Sequence, residues 1–421
     1  SAPAICSDAN VNYNIQTANI NALGNSVASN FTWVAAANGN VGGESTASQA
    51  GGTINDNLTN VTSIDQTVVY TVTPTSTASS CVGANFTVSV VVHPKPVATN
   101  KTAPAICSDA SVNYDIQVAA INGAGGNSVV STFSWLAAAN ASVGGESTTA
   151  QTNAIINDNL VNITTADQTV VYTVTPTSTA NSCVGANFTV SVIVHPKPVG
   201  VNALAPPICS NSNVNYTIQT ANINALGNGI PSNFSWAATS NPSIGGESTA
   251  AQATGVINDI LINLTGLDQT VIYTVTPTSI ADACAGASFT VSVVVNPTPV
   301  GVVDIAPTIC SDGNVNYNIQ LANINALGNS VPSNFTWIAA SNGFVTGESI
   351  VLKNTPIIND ILTNVTNADQ VVVYTVTPTG ANGCLGASFT VSITVRPEPV
   401  GINNLVSINS DIILNYDLQN N

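Results

Sequence analysis

The feature that most constrains this chain is a sequence that repeats about every 101 residues. Four segments open alike: PAICSDANVNYNIQ, PAICSDASVNYDIQ, PPICSNSNVNYTIQ and PTICSDGNVNYNIQ. Their cysteines are Cys6, Cys107, Cys209 and Cys310, in steps of 101, 102 and 101 residues. Later landmarks keep the same order. Trp33 recurs as Trp135, Trp236 and Trp337, and Tyr70 as Tyr172, Tyr273 and Tyr374. A fixed period of this kind marks an array of like units, each a domain in size. The expected units are residues 1–100, 101–202, 203–303 and 304–403. Residues 404–421 read as the start of a fifth, because INSDIILNYDLQ lines up with ICSDGNVNYNIQ. Asn409 then stands where a cysteine would be. No methionine is present, so Ser1 reads as an internal or processed start and the whole as a window on a longer array.

Within a unit the apolar residues alternate. Phe86, Val88, Val90 and Val92 share one face, as do Phe31, Trp33 and Ala35, and Val68, Tyr70 and Val72. Val11, Tyr13 and Ile15 alternate with Asn12, Asn14 and Gln16. A period of two is that of strands with one buried face. No stretch carries a sustained helical period. Some seven short strands in about 100 residues, divided by Gly, Asn, Ser and Pro, predict an all-β Ig-like antiparallel sandwich. Trp33 and Tyr70 are expected in its core. Pro-x-Pro-Val closes each unit, at Pro94, Pro196, Pro297 and Pro397. Proline ends a ladder and stiffens a join, so the units are expected to form an extended, semi-rigid rod.

Composition excludes several functions. There are 21 acidic and 5 basic residues, for a net charge of −16. Nucleic acid requires clustered Lys and Arg, and an anionic membrane surface would repel such a chain. No apolar run approaches the ~18 residues of a spanning helix. Asn-x-Ser/Thr occurs at Asn30, Asn57, Asn85 and Asn233 among others, usable as glycan acceptors where the host has the pathway.

Eight cysteines fall two per unit: Cys6 with Cys81, Cys107 with Cys183, Cys209 with Cys284, and Cys310 with Cys384. Periodicity leaves two pairings: within each unit, or from the late cysteine of one unit to the early one of the next. The second would orphan Cys384, because Asn409 has no thiol. Bridges within units are therefore expected, each closing about 75 residues and contributing roughly 4.5 kcal/mol on the chain-entropy view. Bridges at this density imply export to an oxidising compartment. The close Cys/His pairs of a zinc site are missing.

No catalytic constellation recurs. His93 and His195 share a position that Asn296 and Arg396 fill in the other units, so no base is kept. No Ser-His-Asp set or phosphate loop can be assembled from equivalent positions. Glu44, Asp56 and Asp65 do recur in every unit and are the weak calcium candidates. Their plainer role is to accept hydrogen bonds from turns. No cofactor is expected.

The stretch VVYTVTPTS…CVGANFTVSVVVHPKP resembles the PKD-like repeats of giant surface proteins of Bacteroidota. Tyr70-Thr-Val-Thr, the terminal Thr-Val-Ser-Val strand and the Pro-x-Pro join carry the likeness through all units. The Trp-Asp-Phe-Gly-Asp-Gly signature of true PKD domains is absent, and Trp33 is followed by Val-Ala-Ala-Ala. No binding residue is carried over. The resemblance implies a large adhesin secreted by the type IX system, attached to the cell surface, in some cases serving gliding. The expected role is a stalk segment presenting a distal adhesive region. A self-associating extracellular filament and a multivalent carbohydrate binder are the alternatives. The expected partners are neighbouring repeats, other copies of the chain or surface glycans.

Overall fold

The computed structural model describes residues 1–328, 330–399 and 401. The expected fifth unit, 404–421, lies outside the described residues. The chain divides into two compact units. One is Ser1–Pro198 with Ser279–Cys284; the other is Val199–Thr278 with the chain from Ala285 onward. The first contains repeats 1 and 2, the second repeat 4 and most of repeat 3. Each repeat has its own apolar cluster.

Repeat 1 shows the common plan. Its strands are β1 (Ile5–Cys6), β2 (Ala9–Asn10), β3 (Tyr13–Asn14), β4 (Ser29–Ala35), β5 (Val41–Gly42), β6 (Gln49–Ala50), β7 (Thr53–Ile54), β8 (Asn57–Asn60), β9 (Gln66–Ser76) and β10 (Phe86–His93). One sheet has the order β1-β10-β9-β4-β6. Opposite it lie a three-stranded group, β2-β8-β5, and the pair β3-β7. The repeats are thus the expected all-β sandwiches. β1 runs parallel to β10, with Cys6 opposite His93, while the other pairs are antiparallel. Pro74 is tolerated inside β9 because β10 pairs β9 only up to Val72, so no partner on that side lacks a donor.

The alternation read from the sequence is the alternation of burial. Val68, Tyr70, Val72, Val88, Val90 and Val92 are fully enclosed. Trp33 and Tyr70 meet edge to face with centroids 5.6 Å apart, and each other repeat has an equivalent pair. One segment departs from expectation. The strand expected through Gln16 stops at Asn14, and Gln16–Ile20 forms a wide helical turn followed by a tighter one, Asn21–Leu23. The Asn14 side chain accepts from Thr17 N–H at 3.0 Å and starts the turn. Gly24, at φ 76°, stops it in a conformation glycine adopts without strain.

Tyr70 does not reach back to nearby backbone as a tyrosine corner would. Its hydroxyl donates to Asp56 Oδ2 at 2.9 Å. Ser45 N–H and Ser45 Oγ–H donate to the same carboxylate, both at 2.7 Å. Asp56 is buried, and three donors replace the water it has lost. Repeat 2 builds the identical group from Tyr172, Asp158 and Ser147. Burial, then the Asp158 charge and hydrogen bond, hold the Tyr172 phenol well above its ordinary value near 10. Tyr70, Tyr273 and Tyr374 are raised in the same direction, with burial the main cause.

Two outcomes follow. Asp158→Ala removes the acceptor of three donors, the buried Tyr172 hydroxyl and two part-buried groups of Ser147, and should cost repeat 2 about 3 kcal/mol or more, whereas Tyr172→Phe should cost about 1 to 2; denaturant titration separates them. The raised tyrosines keep their protons in the fold at a pH where the unfolded chain releases them. Stability should therefore be insensitive to them below pH 10 and fall as pH rises above it. Replacing all four tyrosines by Phe should flatten that alkaline decline.

Candidate functional site

The residues that distinguish this array lie at the ends of the sandwiches, where one repeat meets the next. β1 places Cys6 beside His93, at the far end of β10. Cys81 precedes Phe86, beyond the near end of the same strand. An eight-residue strand separates its ends by roughly 25 Å. Disulfides require Cα atoms within about 7 Å. The bridges expected within units therefore do not form. Cys6 bonds Cys183, Cys107 bonds Cys284, and Cys209 bonds Cys384, with Cα separations of 5.7, 5.6 and 5.6 Å. The early cysteine of each repeat joins the late cysteine of the next. This is neither pairing weighed from the sequence, and Asn409 has no bearing on it, since Cys384 is bonded to Cys209. Cys81 and Cys310 are left as exposed thiols.

The Pro-x-Pro join fits against the same end. In the first compact unit, Asn127 of repeat 2 donates to Lys95 carbonyl at 2.7 Å and accepts from Val97 N–H at 3.0 Å. Gly185 lies under Pro96, and a Cβ there would come within 2.2 Å of the Pro96 carbonyl oxygen. The second unit repeats the arrangement with Gly386 and Pro299, also 2.2 Å. Glycine is required there by close approach, not by backbone angle. Pro94, Pro96, Pro297 and Pro299 are buried, so these prolines are part of an interface as well as stiffeners.

A polar clasp completes each joint. His93 Nδ1 lies 2.8 Å from Asp65 Oδ1, and Asn181 of repeat 2 donates to the same oxygen at 3.2 Å. His195 meets Asp167 at 2.8 Å and Asp282 at 3.4 Å. At the third joint the Asn382 side-chain amide donates to Asp268 Oδ1 at 2.8 Å and to the side-chain Oδ1 of Asn296, which replaces histidine, at 3.2 Å. A clasp needs only hydrogen-bonding groups, so Asn serves where a catalytic base could not be replaced.

The three calcium candidates are not brought together. Glu44 accepts from Asn38 N–H at 3.0 Å, Asp56 is held by Ser45 and Tyr70, and Asp65 belongs to the clasp. Among the described residues, the group of three metal-ligating side chains with close ligand atoms is Asp167, His195 and Asp282. The sequence reading missed both the clasp and the glycine under proline. The recurring Asp65 and His93 were visible, but nothing local ties Asp65 to Asn181, 116 residues away.

Peptide mapping without reductant should recover Cys6 linked to Cys183; a Cys6–Cys81 peptide would contradict the joint. Gly185→Ala should push Pro96 away and lower stability by about 1 to 3 kcal/mol in thermal or denaturant unfolding. The same change at Gly144, whose Cβ would meet nothing within 4 Å, should cost far less.

Among solved structures the chain is similar to Drosophila N-cadherin EC1-4. The identity is 10%, the match covers 88% of this chain and 92% of that one, and the TM-score is 0.22. It is also similar to mouse Cadherin-23 EC22-24, at 11% identity over 72% of this chain and 99% of that one, with TM-score 0.26. At this level the likeness implies nothing about ligands or partners. No curated protein matches the chain. No enzymatic family is indicated for any part of it. The family model of the PKD-like domain matches residues 3–96, 104–198, 206–299 and 307–399. Four consecutive copies of that fold account for most of the sequence, and the chain belongs to the PKD-like domain family.

Proposed function

We propose that the chain is a load-bearing stalk segment of a large extracellular adhesin. In this reading it is secreted by the type IX route of Bacteroidota, is attached to the cell surface, and holds a distal adhesive region away from that surface. Three disulfides fit an oxidising, extracellular environment. Among the described residues no helix is long and apolar enough to cross a membrane.

The observation that carries the reading is the covalent topology. From Cys6 the bridge leads to Cys183, the backbone runs 26 residues to Cys209, and the next bridge leads to Cys384. A second path runs from Cys81 to Cys107, across to Cys284, and on to Cys310. The two paths share no residue. Along the backbone Cys6 and Cys384 are 378 residues apart, on the order of 1,300 Å at full extension. Through the bridges the limit is on the order of 100 Å, whatever the sandwiches do. The roughly 75 residues between the two cysteines of each repeat lie off both paths. Load thus bypasses the sandwiches, and unfolding one gives almost no added length. That property suits a spacer that must keep its reach. A sugar-binding array has no need of it.

Pulling single molecules of the oxidised chain should show almost no lengthening between residues 6 and 384 up to rupture. Adding reductant should release steps totalling on the order of 1,000 Å. Sawtooth unfolding with long steps in the oxidised chain would overturn the stalk reading.

A further inference from the structure

The clasp at the second joint differs from the other two in its third group. Two residues before the late cysteine, repeats 2 and 4 have Asn181 and Asn382, and repeat 3 has Asp282. In the first and third joints that amide donates to the clasp aspartate, at 3.2 and 2.8 Å. A carboxylate cannot donate. Asp282 instead brings a second negative charge up to Asp167, with His195 between them. His195 Nδ1 lies 2.8 Å from Asp167 Oδ1 and 3.4 Å from Asp282 Oδ1, and the ligand atoms of the three side chains lie within 4.8 Å of one another. The His195 and Asp282 side chains are only 19% and 24% exposed, so the two like charges are screened less than they would be on an open surface. All three residues belong to the first compact unit, and the Cys107–Cys284 bridge ties down Asp282, two residues from its cysteine.

We propose that Asp167, His195 and Asp282 bind a divalent transition-metal ion of the zinc type, which ties the loop before Cys284 to repeat 2. Tetrahedral bonds of about 2.0 to 2.1 Å put ligand atoms roughly 3.3 Å apart. The His195–Asp282 separation of 3.4 Å already matches. Asp167 must withdraw by roughly half an ångström, and its side chain, 52% exposed, is free to turn. The ion takes the place of a proton on Nδ1, which leaves to solvent, and its charge offsets both carboxylates. Three protein ligands leave a fourth position for water. Calcium fits poorly, since it takes roughly six to eight oxygens and the imidazole offers nitrogen. The first joint has a carboxylate and an imidazole but an amide as third group, and the third joint has one carboxylate and two amides. Neither presents the full set. The site rests on the geometry of this joint, whatever load the chain bears.

Zinc binding by the full oxidised chain tests this, with the exposed thiols Cys81 and Cys310 first capped by iodoacetamide so that they cannot hold the ion. Calorimetric titration with Zn²⁺ should give one saturable site per chain, and excess Ca²⁺ should not displace it. Asp282→Asn gives this clasp the amide of the first and third joints, and His195→Asn the amide found at that position in the third, so both variants should fold as the parent does. Each should weaken Zn²⁺ binding by about 100-fold or more, beyond the usual effect of losing a residue that only orients a ligand. Neither should show the rise in melting temperature that Zn²⁺ gives the parent. The chain has only two histidines, so ring-nitrogen NMR carries its own control. Zn²⁺ should shift the signals of His195 and leave those of His93 in place. No saturable Zn²⁺ binding by the parent, undiminished affinity in Asp282→Asn, equal shifts at both histidines, or displacement by Ca²⁺ would overturn the site.

Discussion

The structure is governed by a bond that no repeat can make alone. Parallel pairing of β1 with β10 carries the early cysteine to one end of the sandwich, and the loop before β10 holds the late cysteine at the other. Each repeat therefore has two half-bridges facing opposite ways. Once those ends must meet at the Cα spacing of a disulfide, other choices are constrained. The surface under the join must be flat, hence Gly185 and Gly386 against a proline carbonyl. The chain leaving the sandwich must not continue the ladder, hence Pro-x-Pro. At the joint with the preceding repeat, Val129 is only 4% exposed. The end faces are thus half-interfaces in sequence as well as in shape.

The contributions at a joint differ in kind. The His93–Asp65 contact is exposed, and surface pairs of this type are worth at most about 1 kcal/mol. The Asn127 amide satisfies two backbone groups, each worth on the order of 1 kcal/mol. The bridge closes a loop of 177 residues, and the chain-entropy model puts that near 5 kcal/mol. It also keeps the weaker groups at high local concentration. This ordering accounts for the variation seen among copies. Histidine gives way to Asn296 in the third clasp, while each described joint has its disulfide.

The sandwich was legible because its information is local. Alternation such as Phe86, Val88, Val90 and Val92 states which face is buried without reference to any distant residue. Trp33 and Tyr70 were legible as core for the same reason. The turn at Gln16–Leu23 was not, because five residues and then three cannot express a helical period, and the side chain that starts it, Asn14, also fits a strand. The bridges were misread for a different cause. Spacing along the chain says how many residues lie between Cys6 and Cys81, not at which end of β10 each one lies. That depends on β1 running parallel to β10, and two residues of strand give no sign of direction. Elimination through Asn409 then chose between two pairings when the real one was a third.

The lengths of the segments between cysteines follow from the same topology. From the early to the late cysteine of a repeat there are 75, 76, 75 and 74 residues. From each late cysteine to the next early one there are 26, 26 and 26. Insertions and deletions have been accommodated only in the first set, which lies off both covalent paths. A residue gained or lost in the second set would lengthen or shorten one path by roughly 3.5 Å relative to the other. The shorter path would then take the load alone, and the second would be slack until the first failed. Equal segments let both paths tighten together. They also mean that cutting any one peptide bond between Cys6 and Cys384 leaves the ends joined, since each joint is crossed once by backbone and once by a bridge. A chain that needed only a folded sandwich in each repeat would have no reason to confine its length variation to the loops outside those paths.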